Sequence, residues 1–163
     1  MTRRLTREVD LDTGVVTLEA FRLNGKLHRN HHEGPAYICR SAENGRLVYE
    51  RYYWHGRLHR EGGPAKIEYD LTGKIALEEM YYLHGFPHRD PMQGPAYIER
   101  NDHGVARVET YLVNGAKYRN PNHGPCSISR YEDGQIEHEE YSDREDAVPI
   151  RRARKRSGPG PTP

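Results

Sequence analysis

The stretch RLVYERYYWHGRLHREGGPA, Arg46 to Ala65, decides how the rest of the chain is read. Taken alone it has the ingredients of a reactive site: a Trp beside a His, a second His four residues on, an Arg and a Gly-Gly-Pro. It does not stand alone. GPA occurs at Gly34-Pro35-Ala36, Gly63-Pro64-Ala65 and Gly94-Pro95-Ala96, with GPC at Gly124-Pro125-Cys126, in steps of 29, 31 and 30 residues. Ahead of each stands a turn dipeptide, Asn24-Gly25, His55-Gly56, His84-Gly85 and Asn114-Gly115, followed at a fixed offset by His28-Arg29, His59-Arg60, His88-Arg89 and Tyr118-Arg119. A second set of turns ends at Gly14, Gly45, Gly73, Gly104 and Gly134. The stretch is one copy of a unit of about 30 residues.

Asn-Gly and Asp-x-Gly between short alternating runs read as hairpin turns, because glycine supplies the positive φ such turns need. Each unit therefore reads as a first strand such as AYICR, a turn, a longer strand such as RLVYERYYW, a tight turn, a short return strand and a Pro-containing link. Counting back by twos from the tight turn gives Leu23, Phe21, Glu19; Trp54, Tyr52, Glu50; Leu83, Tyr81, Glu79; and Val113, Tyr111, Glu109, with Tyr141 and Glu139 in a last, truncated copy. A face held so constant at period two is the inner face of a sheet. On the first strand the matching inner pairs are Ala36 and Ile38, Ala65 and Ile67, Ala96 and Ile98, and Cys126 and Ile128. The small residue leaves room for a neighbouring ring. Turn residues recur every few positions and no stretch keeps a 3.6-residue period, which argues against helix.

The expected fold is all-β: an elongated array of about 4.5 stacked hairpin units in a twisted antiparallel sheet, with residues 1–141 as the repeat domain and 142–163 as a flexible basic tail. Composition agrees. Only 34% of residues are hydrophobic and 30% are charged, and 12 Tyr stand against two Phe and one Trp, so a deep apolar core is excluded and a thin, solvated sheet is favoured. No window is apolar enough to span a bilayer and the first residues lack a signal-peptide core, which predicts a cytoplasmic protein that is not secreted. Cys39 and Cys126 have no metal-ligand spacing. They lie about three units apart, on the order of 29 Å in a stacked sheet, beyond the reach of a disulfide.

Three groups of residues look like chemistry. His28, His59 and His88 each sit four residues from another His, a spacing that holds zinc on a helix; on hairpins, and with Tyr118 filling the fourth place, a stacked ring with a polar tip is expected instead. Glu19, Glu50, Glu79, Glu109 and Glu139 resemble paired catalytic carboxylates, but acid and base roles need two different environments and the repeat supplies nearly one environment five times. Because an inward Glu needs a partner, a structural ladder to Arg29, Arg60, Arg89 and Arg119 is expected. The glycines before each proline lack a phosphate-loop pattern and a following helix. No catalytic or metal-binding residue and no cofactor is assigned, and the chain is read as no enzyme.

The pattern G-x-x-x-x-E-x-Y-x-x-x-G-x-x-HR-x-x-GPA resembles the variant MORN repeats, hairpin modules of bacterial and viral proteins, some of them assigned as antitoxins. The likeness runs from about Leu5 to Tyr141. It implies an extended hairpin sheet used as a binding surface.

Function is expected where the units stop agreeing. The outward positions carry Tyr37, Tyr53, Tyr82, Tyr97 and Leu112, and exposed aromatic residues on a rigid sheet are the usual material of binding hot spots. The expected partner is another protein, occluded by an inhibitor, antitoxin or immunity-type module or by a virus-encoded anti-defence protein. A second expectation is weak, salt-sensitive nucleic-acid or anionic-surface contact through Arg151, Arg152, Arg154, Lys155 and Arg156. Exposed sheet ends also suggest a homodimer.

Overall fold

The computed structural model describes residues 2–142. It is an all-β chain of seventeen short strands: β1 (Arg3–Val9), β2 (Val16–Leu23), β3 (Lys26–Leu27), β4 (Tyr37–Arg40), β5 (Leu47–Arg51), β6 (Tyr53–Trp54), β7 (Arg57–Leu58), β8 (Lys66–Tyr69), β9 (Ala76–Met80), β10 (Tyr82–Leu83), β11 (Phe86–Pro87), β12 (Tyr97–Arg100), β13 (Ala106–Thr110), β14 (Leu112–Val113), β15 (Ala116–Lys117), β16 (Ser127–Arg130) and β17 (Ile136–Glu140). The main antiparallel sheet runs β1-β2-β4-β5-β8-β9-β12-β13-β16-β17, with β3 added beside β2. Thus two strands of each unit enter the main sheet. After the first unit, the long strand is interrupted at its inner aromatic residue, and its end pairs with the return strand as a small separate hairpin: β6 with β7, β10 with β11 and β14 with β15.

The tight turns place both central residues at positive φ: Asn24 at 50° and Gly25 at 79°, His55 at 49° and Gly56 at 83°, with the other two alike. That is the geometry of a two-residue hairpin loop matched to strand twist. Each wider turn is preceded by a register shift, as between Cys39 and Arg40, so the bulge recurs with the unit.

Register lines up the repeats. One row crosses the whole sheet as Arg7, Glu19, Ile38, Glu50, Ile67, Glu79, Ile98, Glu109, Ile128 and Glu139, each residue opposite the next. Beside it Ala36, Ala65 and Ala96 are 0% exposed and Cys126 1%, while Tyr52 and Tyr111 are 7% and 8% exposed. The small side chains admit the rings, so a thin layer buries aromatic area without a second sheet. Trp54, expected on this inner face, is 40% exposed; it sits on the small hairpin beyond the break in the strand, with its ring 4.3 Å from that of His28.

The expected pairing of the Glu series with Arg29, Arg60, Arg89 and Arg119 does not form. These arginines lie 3.9 to 4.2 Å over the rings of Phe21, Tyr52, Tyr81 and Tyr111. Each also donates from Nη1 to the carbonyl of Pro35, Pro64, Pro95 or Pro125. The return strand carries the arginine back over the aromatic residue of its own unit, and cation–π attraction plus a carbonyl acceptor hold it there. The glutamates look across the sheet instead. Arg40 meets Glu19 at 3.0 Å, Arg100 meets Glu79 and Arg130 meets Glu109, both at 2.6 Å, and Tyr69 donates its hydroxyl to Glu50 at 2.8 Å. In each case the partner is the last residue of the next unit's first strand, diagonal to the Glu and within reach of a long side chain. Arg7 gives Glu19 a second cation at 3.1 Å.

His28, His59 and His88 have a different role again. Nδ1 of each accepts the backbone N–H of the turn residue in the next unit, from His55 at 3.1 Å, His84 at 3.2 Å and Asn114 at 3.2 Å. The His59 and His84 rings stack at 4.5 Å. A ring nitrogen can accept only when unprotonated. Burial, followed by the nearby His55 or His84, holds His28 and His59 below the ordinary histidine pKa. Above the unfolded value of about 6.5 both states are neutral and the latches are intact. As pH falls below it, the unfolded chain takes up protons that the folded chain refuses, so stability declines through a window reaching down to the lowered folded values. Urea midpoints measured from pH 7.5 to 5.5 should fall in wild type and fall less in His59→Gln, which keeps an acceptor but not the titration. Equal slopes in the two proteins would refute the latch.

Candidate functional site

The outer face of the main sheet is built from the alternate positions of the same strands. One row reads Tyr37, Arg51, Lys66, Met80 and Tyr97; the next reads Cys39, Tyr49, Glu68, Glu78 and Glu99. Tyr53 and Tyr82 continue it on the small hairpins. Five tyrosines, a basic pair (Arg51, Lys66) and an acidic row (Glu68, Glu78, Glu99) thus occupy the central units, where the end units carry Ala20, Thr110 and Ser127.

These side chains hold one another. The Tyr37 and Tyr49 rings stack with centroids 5.9 Å apart and 10° between planes. Arg51 lies 4.8 Å over Tyr49 and 3.9 Å from Glu68. Lys66 reaches Glu78 at 2.6 Å and Glu68 at 3.1 Å, and the Tyr97 hydroxyl donates to Glu99 at 3.0 Å. Burial alone would lower the Lys66 pKa, but its hydrogen bonds with Glu78 and Glu68 outweigh that and raise it. Burial, then hydrogen bonding with Tyr37 and Cys39, raises Tyr49; burial, then the Glu99 hydrogen bond, raises Tyr97.

The five residues expected to be exposed, Tyr37, Tyr53, Tyr82, Tyr97 and Leu112, are all half-buried. Tyr49, Glu78 and Glu99 belong to the same face, where the two-residue period of the strands places them. Arg151, Arg152, Arg154, Lys155 and Arg156 lie outside the described residues. Neither Cys39 nor Cys126 is in a disulfide. Among the described residues no group of three His, Cys, Asp or Glu is placed to hold a metal ion, and no helix is long and apolar enough to cross a membrane.

The arrangement can stack on, hydrogen-bond to and charge-match a partner surface. Fold and face together define a β-hairpin repeat protein with one chemically distinct central patch. Comparison with known protein families, curated proteins and solved structures finds no match.

Proposed function

We propose that this chain is a non-enzymatic binding module, of inhibitor, antitoxin, immunity or virus-encoded anti-defence type, whose outer face occludes a protein target. One observation carries the reading: Tyr37, Tyr49, Tyr53, Tyr82 and Tyr97 gather on the central strands between side chains already held by ring and ion-pair contacts. Side chains ordered before binding lose little entropy on contact, so each aromatic residue contributes more of its interaction energy to affinity. The likeness of the unit to MORN-type repeats supports the same reading.

Capture from host lysate should yield a stoichiometric complex whose affinity falls about 30-fold in Tyr53→Ala or Tyr82→Ala. Tyr131→Ala, at an exposed turn, should leave it unchanged. Binding indifferent to all three substitutions would remove the outer face as the site.

A further inference from the structure

The two edges of the sheet are opposite in charge. At one end β1 carries Arg3, Arg4 and Arg7 with Glu8; at the other β17 carries Glu137, Glu139 and Glu140 with His138. Among the described residues neither edge has a strand partner on its outer side, and both expose apolar residues: Leu5 and Val9 on one, Ile136 and Tyr141 on the other.

The repeat itself says how such edges would meet. Within the chain each hairpin pairs its second strand with the first strand of the next, as β2 pairs β4 and β13 pairs β16. Arg7 occupies the row position held elsewhere by Ile38 or Ile128, since each faces the row Glu of its own hairpin. Setting β17 of one copy against β1 of another in this same register is antiparallel, like every other step. It places Glu139 opposite Arg7 and Tyr141 opposite Leu5.

Each of these positions lacks something that the interior units have. Glu19, Glu79 and Glu109 each meet an Arg of the next hairpin, whereas among the described residues Glu139 contacts only the Tyr141 hydroxyl, at 3.4 Å. Tyr111 is 8% exposed where the next unit covers it, but Tyr141 is 51% exposed. On the other edge a cavity of ≈ 360 Å³ opens beside Leu5, Phe21, Leu23 and Arg29. Leu5 stands in the row of Ala36 and Cys126, and the cavity beside it provides the room that a small side chain provides elsewhere.

We propose that the protein self-associates head to tail, β17 of one copy pairing with β1 of the next, with Glu139 meeting Arg7 and Tyr141 entering the Leu5–Phe21 cavity. Unlike edges attract, whereas β1 against β1 or β17 against β17 would set like charges directly opposite. The contact is therefore heterologous and propagates instead of closing as a two-fold dimer. It uses the edges of the sheet and leaves the outer face free, so it stands or falls separately from the binding function.

Sedimentation of the full chain at low ionic strength, from about 10 μM to about 1 mM, should show mass growing with concentration past the dimer and shrinking on addition of salt. R3E/R4E/R7E and E137R/E139R should each weaken association at least about tenfold, and mixing the two variants should restore it, because each then offers the edge the other needs. A wild-type monomer throughout, a species that stops at dimer, or a mixture that stays monomeric would each overturn the proposal. If a charge-reversed edge fails to fold, Tyr141→Ala tests the same contact: a drop in association supports it and unchanged association overturns it.

Discussion

Tyr52→Ala is expected to lower the unfolding free energy by about 3–5 kcal/mol, the range for removing a large buried aromatic side chain. The ring is 7% exposed, packs with Ala65 and Ile67, and is the platform for the Arg60 guanidinium at 3.9 Å. Its loss leaves a cavity and strands a cation together. Tyr52→Phe should change stability by less than about 1 kcal/mol, since the first unit carries Phe21 in the same place beneath Arg29. Urea unfolding of both variants separates the ring from its hydroxyl. A Phe variant as damaged as the Ala variant would show that the phenol oxygen, not the ring, supports the unit.

The second large effect is expected at Gly94. Its φ is +127°, and a Cβ there would lie 2.9 Å from Nη1 of Arg89, which stacks 4.1 Å over Tyr81. Gly94→Ala combines backbone strain with displacement of the guanidinium, and should cost about 2–4 kcal/mol. Gly63 isolates one of these causes. There the positive φ falls on Gly62, and a Cβ at Gly63 meets Arg60 at 2.9 Å without φ strain. Gly63→Ala should therefore cost less, about 1–2 kcal/mol. Pairing Gly94→Ala with Arg89→Ala should recover part of the loss, because the clash disappears with the side chain. Strictly additive losses would mean the glycine is required by its backbone alone.

The sequence places Gly62-Gly63 on the link of the second unit, but does not give the reason a glycine is needed at Gly63. Periodicity located it on a link, whereas the need for a bare backbone arises from an arginine that only folding brings within contact. The Glu series shows the same limit. That an inward carboxylate requires a partner followed from its face; which residue supplies it depended on register, an arginine for Glu19, Glu79 and Glu109 and the Tyr69 hydroxyl for Glu50. Arg29 lies ten residues beyond Glu19 in sequence, yet Arg40, twenty-one beyond, is its partner at 3.0 Å. The histidines were legible as a ring position without catalytic company, but their acceptor role depends on a turn one unit away coming within 3.1 to 3.2 Å.

By itself the sequence determined the all-β class, the unit of about 30 residues, the tight and wide turns, and which alternate residues face inward, because these depend on φ preference and on a two-residue period, both local properties. Only the tertiary structure decided the partners of Glu19, Arg60 and His59, the half-burial of the outer tyrosines, the exposure of Trp54 and the opposite charges of the two sheet edges. Those depend on strand register and on which strands remain unpaired, and register is set by contacts between units that no single copy of the repeat contains.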